Sequence, residues 1–254
     1  MKKRFLVATD LHYVEKDWHG MGAEERMANF LAAVETERKA GGDFDAIFLL
    51  GDYSLDFWVW CEKGCYLNHG ESRTRLFARE ILPRLRAIAP TYAIAGNHEQ
   101  YGDAFWRETV GNPRRFSAVA GGVLFVLDDT FGGNLDPKEH SDGTYIGADA
   151  RWIAGELAKH PKLPAVLMAH HFDPERESDA FRRLVESPRV RLLLSGHVHT
   201  ADVSHPFGAP LLHAGQFSYS KEGDGLPHHG FVLLEYDDER DTFAATYAGE
   251  AMAL

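Results

Sequence analysis

The chain has 254 residues, 44% hydrophobic and 26% charged, a composition that suits a globular protein with a sizeable core. Its formal net charge is -11, which argues against a nucleic-acid backbone or an anionic membrane as the main partner, since both select basic faces. No window approaches the roughly 20 apolar residues of a membrane span. The basic start Met1-Lys2-Lys3-Arg4 leads into an apolar run too short for a secretory signal, so a cytoplasmic protein is expected.

Phe5 to Thr9 reads as a buried strand ending in Asp10-Leu11-His12. A helix follows over roughly Ala23 to Ala40, with Ala23, Met27, Phe30, Leu31 and Val34 at the 3.6-residue period, and Gly41-Gly42 stops it. Ala46 to Leu50 is a second strand and ends in Gly51-Asp52. Tyr53 to Gly70 is irregular, with Phe57, Trp58, Trp60 and Tyr66 among glycines, Cys61, Cys65, Asn68 and His69. Ser72 is placed to cap a helix toward Ala89, in which Pro83 predicts a kink or break. Thr91 to Ala95 is a third strand, and Gly96 there lets the chain turn sharply to present Asn97, His98 and Glu99.

Arg115 to Ala118 and Val123 to Leu127 flank Gly121-Gly122 as a hairpin. Asp149 or its neighbour opens a helix carrying Trp152, Ile153 and Leu157 on one face. Ala165 to Ala169 is a buried strand ending in His170-His171. Asp173-Pro174 is a helix start signal, with the helix running to about Glu186. Val190 to Leu194 is the next strand and ends in Ser195-Gly196-His197-Val198-His199. Pro210 to Leu212, Phe231 to Tyr236 and Thr242 to Tyr247 complete the strands. With neither repeat nor linker, residues 1–254 read as a single domain with an aromatic-rich insertion at about 53–71.

Apolar strands alternating with amphipathic helices describe an α/β protein whose sheet is covered on its faces, and the crevice of such a sheet lies beyond the carboxyl ends of its strands. Asp10, His12, Asp52, Asn97, His170, His197 and His199 all stand at such ends. Singly, Asp10 and Asp52 read as turn residues and His12, His170 and His197 as core histidines; together they make a donor set. Two carboxylates, an amide oxygen and several imidazoles are too nitrogen-rich for calcium or magnesium alone and lack the thiolates of copper(I) sites. Zinc, manganese or iron fits. There are too many ligands for one tetrahedral ion, whereas two ions roughly 3.5–4 Å apart sharing one carboxylate account for the number. Asp52 is the natural bridge, because it has two oxygens and Gly51 frees the backbone to bring it in.

In this order, Asp10-x-His12, Gly51-Asp52, Gly96-Asn97-His98-Glu99, His170-His171 and Gly196-His197-x-His199 resemble the motifs of the calcineurin-like metallophosphoesterase superfamily over about Arg4 to His199. The resemblance implies a four-layer αββα sandwich, two mixed β-sheets flanked by helices. It implies one metal held by Asp10, His12, Asp52 and His199 and another by Asp52, Asn97, His170 and His197. It further implies that a hydroxide bridging the ions attacks phosphorus in line. Catalysis would rest on Asp52, Asn97 and His98, with His98 contacting the phosphate or helping to protonate the leaving oxygen. Glu99 stands where aspartate is commoner, in a supporting role. His170 is taken as the ligand because it comes first off its strand, with His171 as the alternative.

The expected activity is therefore hydrolysis of a small-molecule phosphodiester, such as a cyclic nucleotide or a glycerophosphodiester. The alternatives are a phosphomonoesterase, protein phosphatases included, and a regulatory module that holds metals without turnover. Cys61-x3-Cys65-x3-His69 lacks both the usual knuckle spacing and an evident fourth ligand, so free thiols are preferred to a structural zinc. Trp18, Phe57, Trp58, Trp60 and Tyr66 are placed to wall the cleft, to pack as core or to form a dimer contact, with a cleft wall preferred for at least some of them, and His213 and His229 are candidates for its rim.

Overall fold

Strand β1 (Lys2–Ala8) shows how the molecule is layered. Side chains alternate across a strand, so one strand can feed two cores. Leu6 and Ala8 pack with Phe30, Leu31 and Val34 of helix α1 (Ala23–Gly41), whereas Phe5 and Val7 face the opposite way, toward Phe125 and Leu127. A computed structural model describes residues 2–14, 22–56, 72–132, 143–218 and 230–254.

Strands β1, β2 (Ala46–Leu49) and β3 (Thr91–Ala93) run parallel. The sheet is extended beyond β1 by antiparallel β10 (Val232–Asp237), β11 (Thr242–Tyr247) and β12 (Glu250–Met252), in the order β12-β11-β10-β1-β2-β3. A second sheet has the order β4-β5-β6-β7-β9-β8. Here β5 (Val123–Leu127), β6 (Ala165–Met168), β7 (Val190–Ser195) and β9 (Leu211–Ala214) are parallel, with β4 (Phe116–Ala120) and β8 (Ala201–Ser204) antiparallel at the edges.

Three apolar cores separate four layers. The central one joins the sheets through Phe5, Phe48 and Phe125, with ring centroids of Phe125 4.9 Å from Phe5 and 4.2 Å from Phe48. The first outer core packs α1, α2 (Arg73–Glu80), α3 (Leu82–Arg86) and α4 (Asp103–Val110) on the first sheet. The second packs α5 (Ala150–Lys159) and α6 (Asp179–Val185) on the other. This is the four-layer sandwich of two mixed sheets that the motifs imply.

Local signals hold at most boundaries. Ser72, Asp149 and Ser178 each accept a backbone N–H three residues on, capping α2, α5 and α6. Pro83 breaks the helix expected over 72–89 into α2 and α3, because proline fits a first turn and not an interior. The helix expected from Asp173 begins instead at Asp179. Asp173 closes only a short turn, accepting from the Glu175 N–H at 2.9 Å, and the side chain of Glu177 turns back to accept from Tyr145 and the Ala148 N–H. Among the described residues, no helix is long and apolar enough to cross a membrane.

Candidate metal centre

The parallel strands of both sheets end on one side, and their following turns carry the chemistry. Five of the seven described non-glycine residues with positive φ are Asp10, His12, Asp52, His197 and His199. Such backbone costs of order 1–3 kcal/mol per residue and persists only where its surroundings over-determine it. Here they do. Asp10 N–H donates to the Gly51 carbonyl and His12 N–H to the Asp52 carbonyl, both at 3.0 Å, tying the turn after β1 to the turn after β2.

Glycine is required where these turns touch. A Cβ on Gly96 would lie 2.0 Å from Asp52 Oδ1, and one on Gly196 would lie 2.0 Å from Thr9 Oγ1 and 2.6 Å from Asp10 Oδ2. Both positions need close backbone approach rather than flexibility.

Two donor clusters result. In each of Asp10/His12/His199 and Asp52/His170/His197, one ligand atom per residue lies within 4.8 Å of the others. Asp10 Oδ1 is 3.1 Å from His199 Nε2 and 3.8 Å from His12 Nε2, while Asp10 Oδ2 accepts from Thr9 Oγ1 at 2.6 Å and from the His197 N–H at 3.0 Å. Asn97 Oδ1 joins the second cluster, 2.9 Å from His170 Nε2 and 3.0 Å from His197 Nδ1. Asp52 Oδ2 stands between the clusters, 3.1 Å from His170 Nε2 and 3.8 Å from His12 Nε2.

His98 adjoins the pair. Its N–H donates to Asp52 Oδ1 at 3.1 Å and its Nε2 is 3.8 Å from Asp52 Oδ2. Its near neighbour Glu99 is fully buried and accepts three backbone N–H groups, those of Asp52 and Gly96 at 2.8 Å and that of Ser54 at 3.1 Å. Glu99 therefore fixes the turns that aim Asp52 and Asn97. Burial and the Asp52 charge raise its carboxyl to about 8.

The donor set asks for positive charge. His170 donates through Nδ1 to the Leu50 carbonyl at 2.7 Å, which leaves the lone pair of a neutral ring at Nε2 facing two further acceptor oxygens. Burial would keep that ring neutral, yet the Asp52 carboxylate outweighs it and lifts the imidazole to about 9. Burial likewise opposes ionisation of Asp10 and Asp52; His199 holds Asp10, and His170 and His98 hold Asp52, below the usual carboxylate range. His12 and His197 are depressed to about 4 by burial, so each presents a lone pair at neutral pH. Buried carboxylates that draw protons onto neighbouring imidazoles, beside the free lone pairs of His12 and His197, fit cation ligands.

All seven residues expected as ligands are brought to this one place. His171 is not in either cluster; its ring lies 4.6 Å from that of His197 and 5.5 Å from that of Tyr145. His213 sits beside the centre, its Nδ1 2.8 Å from Ser195 Oγ. The segment with Cys61, Cys65, His69, Phe57, Trp58, Trp60 and Tyr66 lies outside the described residues, as do Trp18, His228 and His229.

Sequence reasoning misses the supports. Arg26 is fully buried in α1 and donates to the carbonyls of His12 and Ser218, both at 3.1 Å. An arginine on the apolar stripe of a helix, between Ala23 and Phe30, is its only signal. Asp56 accepts from Ser72 Oγ at 2.7 Å, from the Arg73 and Thr74 N–H groups at 2.8 and 3.1 Å, and from Tyr101 Oη at 2.6 Å. It thereby ties residue 56 to the first turn of α2.

Solved structures share the fold at low identity. They include TT1561 of Thermus thermophilus (13% identity, TM-score 0.52, 97% of this chain and 99% of that one). A putative 5'-nucleotidase from Staphylococcus aureus, in complex with alpha-ketoglutarate, matches at 14% identity and TM-score 0.57 over 99% of this chain but 54% of its own length. GAP50, the anchor in the inner membrane complex of Plasmodium, matches at 12% identity and TM-score 0.57 over 97% of this chain and 84% of its own. Among curated proteins none matches in sequence. Residues 3–201, most of the chain and every donor described above, match calcineurin-like phosphoesterase, a metal-dependent family to which this protein belongs.

Proposed function

We propose that this protein is a phosphoesterase working with two cations at once, and that its substrate is a small phosphodiester. The observation that carries the first part is the position of Asp52 Oδ2 between a His12 nitrogen at 3.8 Å and a His170 nitrogen at 3.1 Å. One carboxylate oxygen facing two donor clusters is suited to be shared. Asp10, His12 and His199 would hold one cation, Asn97, His170 and His197 the other, and Asp52 would serve both. Bound there, manganese, zinc or iron would make a water more acidic and offset charge on the phosphoryl oxygens.

The remaining work falls to the chain itself. Glu99, Gly96 and Gly196 set the turns, and the Leu50 carbonyl orients His170. His98 is the group to contact the phosphate or to hand a proton to the leaving oxygen. The diester preference is supported by where the buried cations go. Arg26 donates to backbone carbonyls, and Arg114 donates to two more and to Asp129. A dianionic monoester asks for more positive charge than a monoanionic diester, and among the described residues the two buried arginines are committed to other partners. A cytoplasmic setting, and residues 1–254 as one domain with an insertion at about 53–71, belong to the same reading.

Protein loaded with manganese, zinc or iron should be assayed on bis(nitrophenyl) phosphate and nitrophenyl phosphate. Faster cleavage of the bis-ester supports the diesterase, and faster cleavage of the mono-ester makes it a phosphomonoesterase. A metal-filled protein inert to both would be a binding module.

A further inference from the structure

Two arginine–aspartate pairs close the end of the β4–β5 hairpin that faces the metal centre. The ladder pairs Phe116 with Leu127, and continuing its register sets Arg115 against Asp128 and Arg114 against Asp129. Arg115 Nε is 2.6 Å from Asp128 Oδ1, and Arg115 Nη1 is 2.8 Å from Asp149, on the side of α5. Alternation along a strand turns the other pair the opposite way, toward the loop that carries Asn97 and His98.

Arg114 is almost completely buried, and so is Asp129. The guanidinium makes a two-pronged contact, Nε to Asp129 Oδ2 at 2.6 Å and Nη2 to Oδ1 at 3.2 Å. Its third nitrogen donates to the carbonyls of Glu99 at 2.7 Å and Tyr101 at 2.8 Å. That fork geometry is one a lysine cannot supply. Asp129 Oδ1 in turn accepts from the Phe131 N–H at 3.2 Å. The Phe131 ring then stands 5.8 Å from the ring of His170 and 5.7 Å from that of His197.

A buried ion pair is a poor stabiliser, because desolvation offsets its attraction, and an apolar replacement is often no worse. What this one does is join two pieces from different sheets. One is the turn after β3, which delivers Asn97; the other is the turn after β5, which walls His170 and His197.

We propose that Arg114 and Asp129 are a positioning pair for the second cation site, holding Asn97 and the His170/His197 rings in mutual register. The inference rests on the two-cation reading above. The pair acts on the donor atoms through Glu99, Tyr101 and Phe131. These links lead to Asn97, His170 and His197, so the second site should respond more strongly than the Asp10/His12/His199 site.

The experiment compares the full-length protein with Arg114→Lys and Asp129→Asn by calorimetric titration with manganese, alongside thermal melts and bis(nitrophenyl) phosphate kinetics. The first manganese equivalent should bind as in the parent protein, while the second weakens by about 10–100-fold, the usual effect of losing a group that supports a ligand. Turnover should fall while KM stays nearly constant. Phe131→Leu leaves the ion pair intact and should weaken the same equivalent selectively, which covers the case in which an ion-pair variant does not fold. Unchanged second-site affinity overturns the proposal. So does parallel weakening of both equivalents with a loss of melting temperature, which would make the pair a general brace. If the parent protein itself binds fewer than two equivalents, the two-cation reading falls and takes this inference with it.

Discussion

His170 donates through Nδ1 to the backbone carbonyl of Leu50 at 2.7 Å, so the first sheet orients an imidazole delivered by the second. This relationship supports His170, rather than its neighbour His171, as the proposed ligand. The Nε2 of His170 is turned onto Asp52 and Asn97, while His171 packs against Tyr145 and His197. We expect His170→Ala to lose one bound cation and nearly all turnover, and His171→Ala to keep both cations. Elemental analysis of the two purified variants checks this; equal losses in both would refute the distinction.

The glycines offer a sharper contrast than the ligands. A Cβ on Gly96 would meet Asp52 Oδ1 at 2.0 Å and the Asp52 backbone nitrogen at 2.6 Å, whereas nothing lies within 4 Å of one on Gly155 in α5. Gly96→Ala should therefore displace the Asp52 carboxylate and abolish activity. Gly155→Ala should leave activity alone and stabilise by about 0.5–1 kcal/mol, the ordinary gain from replacing a helix-interior glycine. Denaturant melts and ester assays on the pair measure both effects.

His98 touches Asp52 through its backbone yet is not among the two three-residue clusters. We expect His98→Ala to retain both cations and to slow turnover by about 10²-fold or more, the contribution of a positioned proton donor. Loss of a cation from this variant would instead make His98 a ligand.

Removing cations should cost stability as well as activity. Asp10 and Asp52 are buried carboxylates that the fold holds ionised beside imidazoles, and Asp52 faces both clusters. A cation at about 100 times its Kd stabilises the folded state by about 2.7 kcal/mol. Chelation should lower the melting temperature, and refilling should restore it. A melting temperature indifferent to chelator would mean that no cation is bound tightly in the folded protein.

The central core makes a prediction of its own, free of metal. Phe125 packs between Phe5 and Phe48 where the two sheets meet. Phe125→Ala should cost about 3–5 kcal/mol in unfolding free energy, with the spread set by how far the cavity collapses. Urea denaturation measures it, and a cost below about 1 kcal/mol would mean that the sheets can slide together to fill the gap.

Much of this arrangement is legible in the chain. Apolar runs with short polar endings mark β1, β2, β3, β6 and β7, and the position of each donor just after its strand follows directly. What escapes is of two kinds. Short elements escape because they are too brief to repeat a period: α4, β8 and β12 are 8, 4 and 3 residues long. Long-range polar contacts escape because nothing local encodes them. Arg26 reaching the His12 carbonyl becomes visible only when α1 docks on the first sheet, and Arg114 reaching the Glu99 carbonyl only when the two sheets stack. The start signal at Asp173-Pro174 misleads for the converse reason: locally it is a good cap, but tertiary contacts of Glu177 delay the helix to Asp179.

The sharing of Asp52 by two cations is tested most directly by low-temperature paramagnetic resonance of the manganese-loaded protein. The account requires two manganese per chain with the signature of a magnetically coupled pair, and a change to uncoupled ions in Asp52→Asn. A single isolated manganese per chain, or coupling that survives that substitution unchanged, would contradict it.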